Sequence, residues 1–183
     1  MPLTHEEIVD AAVDVLRRHG LADLTMRRLA RELGVQPGAL YWHVPNKQTL
    51  LVRVTERVLA DVPIRRSGHP AADIRRLAKG IRAAVLPIPD GSDVVALSYA
   101  LDAEASPVFV QLRTLTGELA DSATTAAAAQ ALVIHHVLGS ISDEQNRRLA
   151  DLPTHGAAAA FDRGLDLALT ALTATSLPRS VHG

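Results

Sequence analysis

The sequence predicts an all-α protein, with an N-terminal three-helix helix-turn-helix head followed by an all-helical C-terminal domain. Apolar residues recur at helical spacing along most of the chain, and no stretch shows the strict alternation of a half-buried strand. Capping residues, glycines and prolines separate these segments at regular intervals. The chain has 183 residues, of which 48% are hydrophobic and 21% charged, so it can bury a substantial core.

The first helix has clear signals at both ends. Thr4 and Glu7 form a T-x-x-E capping box, so the helix should begin near His5. Gly20 should end it. Its apolar face is spaced i, i+4, i+7 and i+8, and consists of Ile8, Ala12, Val15 and Leu16.

Three shorter helices follow, each opened by a capping residue or by a proline in its first position. Val35, Leu40 and Val44 are expected in the core beneath them, with Met26, Leu29, Ala30 and Leu33 also facing inward. The predicted limits are Thr25 to Gly34, Gln36–Pro37 to Pro45, and Asn46 to about Val62.

The segment P-I-R-R-S-G-H-P at residues 63–70 is rich in helix breakers and predicts a domain boundary. The two predicted domains are residues 1–62 and 63–183. Helical patterns continue through the second domain, over about residues 71–86, 94–103, 107–121, 124–148 and 157–175.

Residues 24–51 predict the function. Two short helices joined by a tight turn at Gly34 form a helix-turn-helix, whose second helix enters the major groove of DNA. That helix carries Tyr41, Trp42 and His43 in a chain that is only 3% aromatic. Residues 17–57 carry a net charge of +5, which leaves −6 for the rest of a chain of net charge −1. This asymmetry is expected when one end of a protein meets phosphate.

Several residue types in the head suit contacts to DNA. Gln36 could pair with adenine and Arg27 with guanine, while Tyr41 and His43 could reach phosphate or a base edge. Lys47 begins a helix, where backbone N–H groups already favour phosphate. For Trp42, packing in the core of the head is an equal alternative. The predicted DNA-contacting residues are Thr25, Arg27, Arg28, Gln36, Pro37, Gly38, Ala39, Tyr41, Trp42, His43 and Lys47.

The L-Y-W-H-V run at residues 40–44, followed by Asn46-Lys47 and two leucines, resembles the signature of the tetracycline-repressor (TetR) family. Residues 133–145 and 161–172 resemble that family's two long C-terminal helices. The resemblance implies a homodimer with DNA-reading heads, and an all-α body that binds a small effector and dimerises. It also implies a palindromic operator, contacts of Lys47 and Tyr41 to the DNA backbone, and base reading by Arg27.

The chain departs from the family pattern at positions that bear on specificity. Residues 36–39 read Q-P-G-A, which implies an operator different from that of tetracycline-binding members. The positions matching two of those members' drug-contacting histidines fall near Val95 and Pro63, and Asp143 stands in place of a glutamate. The loop at residues 149–156 is too short for a lid helix. We therefore expect an effector other than magnesium-tetracycline.

In the body, a cavity between the long helices is expected to bind the effector. The predicted ligand-binding residues are Phe109, Leu112, Leu132, His135 and Asp143. His135 and Asp143 are about 12 Å apart along one helix, too far to hold one metal ion alone. The apolar faces of the last two helices are broader than one small core needs, which predicts a subunit interface.

Other classes of function are disfavoured by what the sequence lacks. With no cysteine, disulfides and cysteine-built zinc sites are excluded. No nucleophile elbow, H-E-x-x-H or phosphate-binding glycine loop is present, so the chain is expected to be neither an enzyme nor a cofactor or metal protein. No signal or membrane-spanning pattern is present, which predicts a cytoplasmic location. Two hypotheses remain: a ligand-responsive repressor, or a DNA-binding activator or architectural protein without a small-molecule effector.

Overall fold

The computed structural model describes residues 3–175, and these residues form nine α-helices and no strand. The all-α prediction is therefore confirmed. No helix among them is both long and apolar enough to cross a membrane. The helices are α1 His5–Asp23, α2 Met26–Glu32, α3 Pro37–His43, α4 Lys47–Leu59, α5 Pro70–Val85, α6 Gly91–Leu101, α7 Pro107–Leu119, α8 Ala123–Leu149 and α9 Ala157–Thr175.

The predicted capping signals form the expected contacts. The Thr4 hydroxyl accepts the Glu7 N–H at 3.2 Å, and the Glu7 carboxylate accepts the Thr4 N–H at 2.8 Å. The hydrogen bonds that the Glu7 carboxylate accepts from the Thr4 N–H and, at 3.0 Å, from the Thr4 hydroxyl hold the pKa of Glu7 below its ordinary value. Asn46 caps α4 by accepting the Thr49 N–H at 2.8 Å.

The regular helix that begins at His5 breaks at Gly20, where the sequence predicts its end: this glycine has φ 75° and ψ −178°, and one further helical turn follows to Asp23. Two other predicted boundaries were wrong. The sixth helix begins at Gly91, three residues earlier than expected, because Asp90 takes the N-cap position with φ 55°. The fourth helix ends at Leu59 rather than Val62, although Val62 is buried.

Residues up to Val62 pack with Ala83–Pro107 into a first compact unit. Its core draws on α1 to α4, and it also includes Ile88 and Val94 from the second segment. The core positions predicted in α1 are all fully buried, as is Leu40, and Val44 is almost so. Val35, Met26 and Leu33 are half-buried and pack against this core.

Pro63–Arg82 and residues 108–175 form the second unit. The packing of α8 against α9 is close there: the His136 Nε2 atom lies 2.9 Å from the Phe161 carbonyl oxygen, and a Cβ at Gly164 would overlap the His136 ring. The chain passes between units at the predicted boundary after residue 62, but residues 83–107 pack with the first unit. The functional division into 1–62 and 63–183 stays a prediction.

Candidate nucleic-acid interface

The helix-turn-helix is built by two seven-residue helices and the turn between them. Leu29, Ala30 and Leu40 hold the two helices together in the core of the first unit. Gly34 has φ 65°, and the turn closes when Val35 donates its N–H to the Ala30 carbonyl at 2.9 Å. A left-handed residue lets the chain reverse within two residues, and glycine adopts that conformation without strain. The turn fixes which face of α3 points outward.

The outward face of α3 carries two large aromatic side chains. Trp42 is 91% exposed and Tyr41 is 50% exposed, whereas Leu40 between the helices is fully buried. The alternative that Trp42 packs in the core of the head is therefore wrong. An indole almost wholly in solvent is unusual for a core residue type, and it is suited to contact with another surface.

The start of α3 offers a free amide group. Gln36 is exposed at the N-cap, and its side chain makes no capping hydrogen bond, so both its donor and acceptor groups are available. Pro37 and Gly38 are exposed, nothing would contact a Cβ at Gly38 within 4 Å, and Ala39 is half-buried. This end of α3 is thus open enough for the edge of a base pair to approach the backbone.

The two arginines at the start of α2 lie in different environments. Arg27 is exposed, and its guanidinium has no ion-pair partner among residues 3–175. Arg28 is half-buried, pairs with Asp23 at 3.3 Å and has a buried Nε atom without a partner. Thr25 is exposed, but its hydroxyl caps α2 by accepting the Arg28 N–H at 3.1 Å. Of these three predicted contacts, Arg27 is the most accessible to a base.

Another arginine close to this region is held by an acidic partner. Arg18 pairs with Glu32, and its guanidinium holds the pKa of that carboxyl below its ordinary value. The positive charge of Arg18 is therefore partly neutralised, although the sequence alone counted it in the basic total.

Lys47 begins α4, and its ammonium group is half-buried. The Nζ atom donates a hydrogen bond to the Leu21 carbonyl at 3.3 Å. An ammonium group has three N–H donors, so two remain available for an anion at this helix N-terminus.

His43 ends α3 and packs edge-on against His5, with 5.0 Å between ring centroids. It is half-buried, and it lines an open groove of about 780 Å³. The groove is lined by His5, Glu6, Val9, Asp10, His43, Val44, Thr49, Arg53, Glu56 and Arg57. The His5 contact had no sequence signal, because the two residues are far apart along the chain.

The predicted ligand-binding residues do not share one cavity. Phe109 and Leu112 are fully buried in the packing of the second unit, whereas Leu132 is 46% exposed. His135 and Asp143 are exposed and line a shallow pocket of about 390 Å³ together with Phe161. Asp143 also pairs with Arg147 at 2.9 Å. The expected cavity lined jointly by Phe109, Leu112, Leu132 and His135 is thus not what the structure shows.

A metal site is likewise absent from the described part of the chain. No group of three or more histidine, cysteine, aspartate or glutamate residues among residues 3–175 has the geometry to hold an ion. His135 and Asp143 do line the same pocket, but without a third ligand they form no coordination site.

Sequence reasoning missed several buried polar groups, three of them on uncharged side chains. The Thr55 and Ser98 hydroxyls in the first unit and the Gln111 amide nitrogen in the second are each buried without a hydrogen-bond partner among the described residues. Burial without a partner costs about 1–3 kcal/mol, so such atoms mark places where a ligand or water could bind. Nothing in the local sequence distinguishes these residues from exposed ones.

The comparisons with known proteins agree with this geometry. Residues 8–54 match the model of the N-terminal domain described as "Bacterial regulatory proteins, tetR family". The class D tetracycline repressor of Escherichia coli is 32% identical over 152 residues, covering 81% of this chain and 69% of that protein. The class G repressor of Vibrio anguillarum is 30% identical over 186 residues, covering 87% and 88% of the two chains.

Solved structures are similar over nearly the whole fold. BioQ of Mycobacterium smegmatis superposes with a TM-score of 0.85 and 37% identity, over 94% of this chain and 99% of that one. A structure of BioQ with its natural double-stranded DNA operator superposes with a TM-score of 0.80, at the same identity and coverage. The helix-turn-helix, the matched model and these relatives together show that the chain belongs to the TetR family of DNA-binding transcriptional regulators.

Proposed function

We propose that this regulator is a repressor that binds a palindromic operator as a homodimer and releases it when a small molecule binds its body. The observation that carries the DNA-binding part is the outward face of the helix-turn-helix, with Trp42, Tyr41, Arg27 and Gln36 exposed. The similarity to BioQ, which has been crystallised with its operator, supports the same manner of docking. Such a regulator would act in the cytoplasm, where the chromosome is, and without enzymatic chemistry.

Within this proposal the contacts divide into two kinds. Lys47 and Tyr41 contact phosphates. These contacts orient the head on DNA but do not distinguish one base sequence from another. Arg27 and Gln36 reach base edges in the major groove, and Trp42 and His43 flank them. Pro37, Gly38 and Ala39 allow the start of α3 to approach the bases, while Thr25 and Arg28 support α2 and lie at the edge of the contact.

The DNA-binding proposal is tested with the DNA that flanks the protein's own gene. We expect a gel shift with a duplex from that intergenic region and protection of a symmetric site in a footprint. Lys47→Ala should weaken binding to every duplex and reduce the slope of log affinity against log salt by about one. Undiminished affinity of that variant at moderate salt would remove Lys47 from the interface.

Regulation by an effector is supported by the buried polar atoms that lack partners. The buried Gln111 amide nitrogen in the second unit would donate a hydrogen bond to a polar ligand, and a ligand that binds only one conformation shifts the population towards it. Two structural relatives have been crystallised with small molecules, a tetracycline repressor variant with minocycline and ActR of Streptomyces coelicolor with (S)-DNPA.

Tetracycline itself provides a defined test of the effector's class. The sequence resemblance places the two positions that match drug-contacting histidines near Val95, which is buried, and Pro63, which is exposed. Neither side chain can bind magnesium or donate a hydrogen bond. Tetracycline with Mg²⁺ should therefore leave the gel shift unchanged; release of the DNA at micromolar drug would contradict this part of the proposal.

The second hypothesis, an activator or architectural protein without an effector, makes a different prediction. In transcription reactions from the flanking promoter, a repressor lowers transcript yield in proportion to operator occupancy, whereas an activator raises it. An architectural protein would bind with little preference for the protected site over mixed-sequence DNA.

A further inference from the structure

The backbone of one residue in the first unit, Leu21, is hydrogen-bonded on both sides by residues distant in sequence. The Asp90 carboxylate accepts the Leu21 N–H at 2.8 Å, and the Leu21 carbonyl accepts a hydrogen bond from Lys47 Nζ at 3.3 Å. The same carbonyl also accepts the Leu24 N–H at 3.2 Å. The turn before α6 is thereby connected, through the last turn of α1, to the lysine that begins α4.

Asp90 occupies the N-cap of α6 but does not cap that helix with its side chain. An aspartate at this position ordinarily accepts an N–H of its own helix. Here the backbone of Asp90 is left-handed, with φ 55° and ψ 17°, and its carboxylate is directed to Leu21 instead.

The approach of Asp90 to α1 depends on Gly20. A Cβ atom at Gly20 would lie 2.6 Å from the Asp90 carboxylate oxygen, closer than real contacts allow. The φ and ψ of Gly20 also lie in a region that is essentially restricted to glycine. The kink therefore exposes the Leu21 N–H at the place where the carboxylate reaches it.

We propose that Asp90 is a positioning residue for DNA binding, which acts through the backbone of Leu21 to hold Lys47 in place for a phosphate. With Leu21 fixed, one donor of the Lys47 ammonium is engaged before DNA arrives and two remain for the phosphate. Because a lysine side chain loses much conformational freedom when it is ordered, holding it beforehand lowers the cost of binding. The inference rests on the proposed phosphate contact of Lys47.

A purely electrostatic role of Asp90 predicts a change in DNA affinity of the opposite sign. If the carboxylate were only a negative charge close to the DNA-binding face, its removal would strengthen DNA binding by relieving repulsion. If it positions Lys47, its removal weakens binding despite that electrostatic gain. The direction of the change therefore separates the two roles.

The test uses Asp90→Gly, because glycine adopts the left-handed backbone without strain, and the substitution removes the carboxylate together with the rest of the side chain. The matched control is Asp151→Gly, which removes the same charge from another residue with positive φ, 53°, in a part of the chain outside the first unit. Binding of a mixed-sequence DNA duplex is measured by fluorescence anisotropy over a salt series, since a phosphate grip does not depend on the operator. Asp90→Gly should bind about fivefold more weakly, the size expected from losing the pre-ordering of one long side chain, and Asp151→Gly should bind as the wild type does.

A double-mutant cycle with Lys47→Ala decides whether the effect passes through the lysine. In the Lys47→Ala background, Asp90→Gly should cause no further loss. An equal loss there, or unchanged or tighter binding of Asp90→Gly alone, would overturn the inference while leaving the Lys47 contact intact. If Lys47→Ala itself binds normally, the proposed phosphate grip fails instead.

Folding of each variant is checked by thermal unfolding. If Asp90→Gly does not fold, the cycle is run with Asp90→Asn, since asparagine tolerates the left-handed conformation and its amide oxygen is a weaker acceptor than a carboxylate. A loss of affinity that is present with Lys47 and absent without it supports the inference, and no loss rules it out.

Discussion

Single residues in the head differ in how freely their side chains can meet DNA. Arg27 and Arg28 are adjacent in sequence, yet Arg28 is half-buried against Asp23 while Arg27 is exposed and has no ion-pair partner among the described residues. A guanidinium that is not engaged in the free protein gives up no interaction when it pairs with guanine. The structure therefore favours Arg27 over Arg28 for base reading.

Arg27→Ala should relax the preference for one base pair in each half-site. A bidentate arginine contributes about 1–3 kcal/mol of discrimination at the base that it reads, so the affinity for the preferred sequence should fall while binding to mixed-sequence DNA changes little. Competition gel shifts with operators altered at single positions measure this. An equal loss on all duplexes would identify Arg27 as a phosphate contact instead.

In the second unit, Glu144 is a buried carboxylate that pairs with both Arg82 and Arg148. Arg82 is itself largely buried, and its guanidinium lies 5.2 Å from the centre of the Phe161 ring. Glu144→Ala would leave the Arg82 charge buried without compensation, so the free energy of unfolding should fall by about 3 kcal/mol.

The control for this prediction is Asp162→Ala, which removes the partner of Lys79, 2.9 Å away in an exposed pair. Exposed pairs contribute little, so the loss should stay below about 1 kcal/mol. Urea unfolding of the two variants at one fixed protein concentration measures both losses in the free energy of unfolding. Similar losses in the two variants would show that the Glu144 cluster is no more important than a surface pair.

At the scale of elements, the kink of α1 at Gly20 joins this helix to the turn before α6. The first run of helix ends at this glycine, as the sequence predicts, and a last turn to Asp23 follows beyond it. The close contact with Asp90 explains why a residue without a side chain stands there.

Gly20→Ala should destabilise the protein more than Gly34→Ala does. Both glycines have positive φ, but nothing would contact a Cβ at Gly34 within 4 Å, so that variant carries backbone strain alone. At Gly20 the strain of a conformation restricted to glycine, about 1–3 kcal/mol, adds to the clash with Asp90. Thermal unfolding of the two variants measures the difference, and equal destabilisation would mean that Asp90 moves aside without cost.

At the scale of the whole molecule, the second unit carries apolar side chains that remain in contact with solvent. Leu149 is 78% exposed and Leu167 is 74% exposed, and Leu132 and Leu152 are about half exposed. Exposed leucines on the two C-terminal helices agree with the subunit interface that we propose.

Sedimentation should therefore show a dimer at micromolar concentration. Leu167→Glu places a charge among these exposed apolar residues and should shift the protein towards monomer, whereas Ile64→Glu, at an exposed residue outside the two C-terminal helices, should leave the dimer intact. A wild-type monomer at that concentration would contradict the homodimer and, with it, the palindromic operator.

Much of this protein is determined by local sequence. Helix caps, tight turns and the helical spacing of apolar residues are short-range effects. The expected caps form at Thr4, Thr25 and Asn46, and the expected turn forms at Gly34. The L-Y-W-H-V run also indicated the family correctly, because a recognition helix is a contiguous segment.

Only the tertiary structure decided the rest. Trp42 is exposed, and Arg28 and Arg18 pair with acidic residues. Phe109 and Leu112 are buried, whereas Leu132 is not. Asp90 is linked to Lys47 through hydrogen bonds to Leu21. These relations depend on residues brought together from distant parts of the chain. Burial and hydrogen bonding are properties of such neighbours, so no local pattern specifies them.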